Sequence, residues 1–173
     1  MADVFDRVQQ SRTGLEKLLD FIPGWKGYQE QQNRREADKI LRMALAQKLA
    51  VQRGRLEAAQ VDLITAGRID LVDDLGQAVT PLQTFIDRVR FATYGYSSVF
   101  DALKMKQEQL AQLYDFDLQM FGYVDRLSEA NDRLLEAISN GEGIVETIRI
   151  IRGIVREANE TYGQRTQLIA GNP

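Results

Sequence analysis

The sequence predicts an all-α protein, an elongated antiparallel four-helix, coiled-coil-like bundle with an extra short N-terminal amphipathic helix. Three observations carry that expectation. Apolar residues recur at three- and four-residue steps over long stretches, the period of a helix with one buried face. No run shows the sustained apolar and polar alternation between turn residues that a half-buried strand requires, and only 3 Pro punctuate 173 residues. The breaks between periodic stretches are a few residues long, and short connections set consecutive helices antiparallel.

The first element spans 1–22. Val4, Phe5, Val8, Leu15, Leu18, Leu19 and Ile22 share one arc, with Asp6, Glu16, Lys17 and Asp20 opposite. Pro23, Gly24 and Gly27 then break the helical pattern around Trp25 and Tyr28, which makes a tight apolar corner. The second element, 28–66, is one long helix whose stripe runs through Ala37, Leu41, Leu45, Leu49, Leu56, Ala59 and Leu63, widened by Ile40, Ala44 and Ile64. At 1.5 Å per residue it reaches roughly 58 Å, against a radius of gyration near 16 Å for a compact domain of this length. Gly54 is the weak point inside it.

Gly67 is placed to end that helix. The third element, 68–93, carries Ile69, Val72, Leu75, Val79, Leu82, Ile86 and Val89 in one phase across Pro81. A single kinked helix is the preferred reading, and Thr80 as an N-cap before Pro81 would suit two shorter ones. After the break at Tyr94 to Ser98, Ser98 and Asp101 have the form of a capping box. The fourth element, 98–139, follows with Leu103, Leu110, Leu113, Leu118, Phe121, Val124, Leu127, Leu134, Leu135 and Ile138 on its stripe and Gly122 as a soft spot. Asn140-Gly141-Glu142-Gly143 is the clearest turn, and 144–169 is the last helix, marked by Ile144, Ile148, Ile151, Val155, Ala158, Tyr162 and Ile169. With 44% apolar and 27% charged residues, the chain has an ordinary globular composition. Its length suits one domain over 1–173.

Composition also bounds the chemistry. There is no His and no Cys, so no Ser-His-Asp or Cys-His relay, no zinc or haem ligation of the usual kinds, and none of the Glu-x-x-His pairs of di-iron bundles. Asp73-Asp74 and Asp115-Phe116-Asp117 lack the central Gly and closing Glu of a calcium loop and read as surface charges. Tyr94, Tyr96, Ser97, Asp101 and Lys104 match no nucleophile motif. No polar constellation is expected to interrupt the apolar stripes, so no catalytic site, no cofactor and no small-molecule substrate are predicted. The start of the chain, with Asp3, Asp6 and Arg7, has neither the basic nor the apolar part of a secretory signal, and no run spans a bilayer. The expected location is cytoplasmic.

Charge is distributed unevenly within a net of −3. Lys26, Arg34, Arg35, Lys39, Arg42, Lys48, Arg53 and Arg55 outweigh Glu30, Glu36, Asp38 and Glu57, whereas 97–142 is acidic. A basic helix can meet nucleic acid or anionic lipid. The four-residue pairs Glu30 with Arg34 and Asp38 with Arg42 favour a solvated, ion-paired face instead, and nucleic acid is not expected as a partner. The charge split is also suited to guiding helix pairing or head-to-tail association.

The expected function is that of a non-catalytic interaction or scaffold protein that binds a protein partner or itself. Its candidate partner face is Trp25, Tyr28, Arg35, Lys39 and Arg42, aromatic and basic types that concentrate binding energy. The same aromatic corner also suits plugging one end of the bundle. The alternative function is a peripheral membrane protein that uses the N-terminal helix and the Trp/Tyr corner at a membrane surface.

Pro23-Gly24-Trp25-Lys26-Gly27-Tyr28 with Arg35-Glu36-Ala37-Asp38-Lys39, and Tyr94 to Lys104, resemble segments of a bacterial family of all-helical proteins with no known function. That resemblance implies an all-helical bacterial protein and assigns no functional residue. The architecture is also similar to that of phage-shock-protein-A-type membrane remodellers, long helical hairpins with an amphipathic N-terminal helix. The chain departs from that pattern at Pro23 and Pro81 and in the acidic residues of its first helix.

Overall fold

A computed structural model describes residues 34–92 and 107–170, with side chains over 39–92 and 115–165. The described residues form a helical bundle: α1 (Arg34–Thr65), a 3-10 turn (Ile69–Leu71), α2 (Val72–Phe91), α3 (Gln107–Asn140) and α4 (Ile144–Ala170), with no strand among them. The N-terminal helix of 1–22, the Trp25 corner and the Ser98–Asp101 capping box lie outside the described residues.

Each helix buries one face at coiled-coil spacing. On α1 the buried positions run Leu45, Leu49, Gln52, Leu56, Ala59 and Leu63, in alternating steps of four and three. On α2 they are Leu75, Ala78, Leu82, Phe85 and Val89, and on α3 Met120, Tyr123, Leu127, Ala130, Leu134 and Ala137. On α4, Ile144, Ile151, Ala158 and Arg165 repeat every seven residues, flanked by Ile148, Val155 and Tyr162. Contacts join α1 to α2, α3 to α4, α1 to α3 and α2 to α4. Along α1 and α2, Arg42 meets Val89, Arg53 meets Gln83 and Gln60 meets Val72, so rising numbers meet falling ones. The same holds for α3 and α4, where Asp117 meets Arg165 and Tyr123 meets Glu157.

Gly67 ends α1 with φ of 74°. Its N–H donates to Ile64 O at 3.0 Å and that of Arg68 to Leu63 O at 2.8 Å, the paired bonds of a Schellman cap, which needs the left-handed conformation that glycine adopts freely. The expectation of a helix from residue 68 is corrected here. Residues 69–71 tighten into the 3-10 turn and the α-helix starts at Val72. Asp73 and Asp74 occupy the first turn of α2, and Arg88 and Arg90 its last, so both ends carry the charge that the helix dipole favours. Pro81 sits inside one continuous helix, although it leaves the Gln77 carbonyl without an intrahelical N–H. Pro81 therefore does not split the element in two. Ile64, Ile69 and Leu135, placed on core stripes by periodicity, are exposed by 51%, 67% and 43%.

Candidate functional site

Polar side chains enter the core at three levels, against the expectation that nothing interrupts the apolar stripes. Two of these levels lie at the bundle end where α1 and α3 begin and α2 and α4 finish. Arg165, 1% exposed, donates from Nε to Asp117 Oδ1 at 2.7 Å and from Nη2 to Asp117 Oδ2 at 3.0 Å. This is a planar two-bond match between guanidinium and carboxylate. Asp117 is 5% exposed, which corrects its reading as a surface charge. Nearly two turns on, α3 presents a second polar cluster to α4. The Tyr123 hydroxyl lies 3.0 Å from Glu157 Oε1 and 2.9 Å from Thr161 Oγ1, and Arg126 forks onto Glu157 at 3.1 and 2.9 Å while lying over the Tyr123 ring. Burial pushes the Tyr123 phenol above the usual tyrosine range, and the Arg126 hydrogen bonds hold the Glu157 carboxyl below the usual carboxylate range.

Arg42 lies at the same end. It is 8% exposed and its Nη1 donates to Val89 O at 3.2 Å and Arg90 O at 3.4 Å, covering carbonyls that the end of α2 leaves without intrahelical partners. Arg42 is thus removed from the candidate partner face, because a guanidinium committed to a helix terminus in the core is not presented to a partner. Lys39 is exposed. Arg35 falls in the first turn of α1 and its side chain lies outside the described residues, as do Trp25 and Tyr28 altogether.

The third level is in the middle of the bundle. Asn131 Nδ2 donates to Gln52 Oε1 at 3.0 Å and to the Gln52 carbonyl at 3.3 Å, and Arg55 donates to Gln52 Oε1, to Ser128 and to the Asp132 carboxylate. These bonds join α1 to α3, and one of them, Arg55 to Asp132, is an ion pair. Gln52, Asp117, Asn131 and Arg165 were not anticipated as core residues. The available signal was phase: Gln52 stands between Leu49 and Leu56, Asn131 between Leu127 and Leu134, and Arg165 seven residues after Ala158.

A groove of about 760 Å³ runs between α2 and α4, with Thr80, Pro81 and Thr84 on one side and Arg149, Arg152 and Arg156 on the other. Asn159 bridges its floor, donating to Pro81 O at 3.2 Å and accepting from Arg88 at 3.0 Å. Phe85 and Arg88 pack on the Tyr162 ring beneath. Among the described residues no group of three or more carboxylates is gathered for a metal ion, and no helix is long and apolar enough to cross a membrane. No protein-family model matches the chain, and neither does any curated protein or solved structure.

Proposed function

We propose that the chain is a non-catalytic helical scaffold of the cytoplasm, an elongated antiparallel four-helix bundle that presents the segment from Trp25 to Lys39 to a protein partner. The observation that carries this reading is the set of charged locks at one end of the bundle. Arg42 caps α2 there, and the Asp117–Arg165 pair ties α3 to α4. The described part of α1 begins at that same end, so a partner bound at its start would meet a fixed platform. Buried ionic groups bring little net stability, and their best-attested use is to define how helices pair. The opposed numbering across α1–α2 and α3–α4, with seven-residue core repeats, supports the antiparallel coiled-coil-like arrangement.

The test is a crosslinked pull-down of the tagged protein from its native lysate beside Trp25→Ala and Lys39→Glu variants, read by mass spectrometry. A distinct protein captured by the wild type and lost in the variants supports the reading. Associations that survive both substitutions overturn it. Vesicle flotation with neutral and anionic lipid, positive in the absence of any protein partner, would replace it with a membrane-surface role.

A further inference from the structure

We propose that this chain pairs with a second copy of itself through the solvent face of α1, the two α1 helices lying antiparallel about a two-fold axis midway between Val51 and Gly54. That face differs from the other solvent faces of the bundle. Between Lys39 and Asp62 the exposed positions of α1 are Met43, Gln47, Val51, Gly54, Ala58 and Val61, together with Glu57, the one charged residue among them. On α3 and α4 the exposed positions carry a charge at almost every turn, as at Asp125, Glu129 and Arg133 or at Arg149, Arg152 and Arg156. The six uncharged residues step by four, four, three, four and three. At 100° per residue they fall within an arc of about 80°, opposite the core stripe through Leu49, Gln52 and Leu56. Met43, Val51 and Val61 are exposed by 44%, 58% and 61%. So α1 carries two seams at coiled-coil spacing, and among the described residues only one of them is covered.

The strip complements itself when it is read in the opposite direction. With the axis midway between Val51 and Gly54, Met43 faces the partner's Val61, Val51 faces the partner's Gly54, and Gln47 lies against the partner's Glu57 and the partner's Ala58. Apolar side chains then meet apolar ones, and an amide donor meets a carboxylate. An added Cβ at Gly54 would meet nothing within 4 Å, so the glycine leaves a hollow at the centre of the contact for the valine knob. A parallel pair would instead set glycine against glycine, leaving the centre unfilled, and Glu57 against a like charge. The charges flanking the strip are neutralised within each copy, Glu57 lying 3.4 Å from Arg53 and Arg55 being bound to Asp132. From Met43 to Thr65 the exposed side chains offer on the order of 600 Å² per copy, which meets the roughly 1,200 Å² in total at which specific interfaces begin. Because each copy uses the same strip, the contact closes at two copies.

Sedimentation velocity of the full chain from about 1 μM to about 100 μM tests this, over the affinities that small specific interfaces reach. The expected result is a monomer that passes to a species of twice the mass as concentration rises. The dimer should persist at about 0.5 M salt, because burial of apolar surface holds it and screening does not weaken that. Val51→Glu, at an exposed position, should abolish the dimer with circular dichroism unchanged, whereas Gln77→Glu on the exposed face of α2 should leave it intact. Met43→Glu and Val61→Lys should each be monomeric alone and form a heterodimer when mixed, because the antiparallel direction sets the two new charges, of opposite sign, against each other. A parallel pair gives no such rescue. A wild type that stays monomeric overturns the proposal, the result expected if another part of the same chain covers the strip. So does a dimer that survives Val51→Glu, or a mixture that stays monomeric. Trp25→Ala should dimerise like the wild type, so this proposal and the partner face of residues 25–39 fail separately.

Discussion

Replacing Asp117 by Ala removes one half of the buried pair and leaves the Arg165 guanidinium, 1% exposed, without the carboxylate it grips at 2.7 and 3.0 Å. Breaking a buried pair in this way costs about 3–5 kcal/mol, since a buried charge loses its counter-ion. Domains of this kind are stable by only about 5–15 kcal/mol. At about 2–4 °C per kcal/mol for a chain of this size, the melting temperature should fall on the order of 10 °C. The assay is urea unfolding followed by circular dichroism at the helix band, with slopes compared so that only midpoints carry the result. The double variant Asp117→Leu/Arg165→Met should recover much of the loss, because an apolar pair of similar volume needs no compensation for desolvation. A cycle through the single variants should give a coupling of at least about 1–3 kcal/mol. If Asp117→Ala costs less than about 1 kcal/mol, or if the two single effects simply add, the pair is not the lock described here.

Three further outcomes are expected. Arg42→Ala should cost about 1.5–3 kcal/mol, the range for hydrogen bonds from a charged donor, and native-state hydrogen exchange should show the last turn of α2 opening more readily. Gly54→Ala should stabilise by about 0.5–1 kcal/mol, because the helix continues through that position and an added Cβ meets nothing; Gly67→Ala should destabilise, since its φ of 74° is unfavourable for a side chain. Glu157 is held below the usual carboxylate range by Arg126, so its contribution is present above the unfolded value and is lost as pH falls through the folded one. Both side chains are about half exposed, which discounts that contribution to under about 1 kcal/mol; in acid titration of stability, Glu157→Gln should flatten the low-pH limb by no more than that.

Periodicity alone made the four described helices legible, because burying one face of an amphipathic helix demands apolar residues every three or four positions whatever the neighbour is. The stripe residues from Leu41 to Leu63 and from Ile144 to Tyr162 illustrate this, with Ile64 as the exception. The turns at Gly67 and at Gly141 and Gly143 were readable as well, since positive φ selects glycine locally. The capping box at Ser98 and the partner-face residues Trp25, Tyr28 and Arg35 remain sequence readings, outside the side chains described.

What the one-dimensional pattern could not decide is which polar residues lie inside. Arg42, Gln52, Asp117, Asn131 and Arg165 carry the same letters as surface residues, and their burial depends on a partner far along the chain, at a separation of 47 for Arg42 and Val89 and 48 for Asp117 and Arg165. A charge is tolerated in the core only where a second helix delivers its counterpart, and that delivery is a property of packing. The sequence by itself therefore determined the helices, their turns and most of their apolar faces, through local backbone and periodicity rules. Only the tertiary structure decided that Asp117 is a core residue and that Arg42 caps a helix instead of facing a partner.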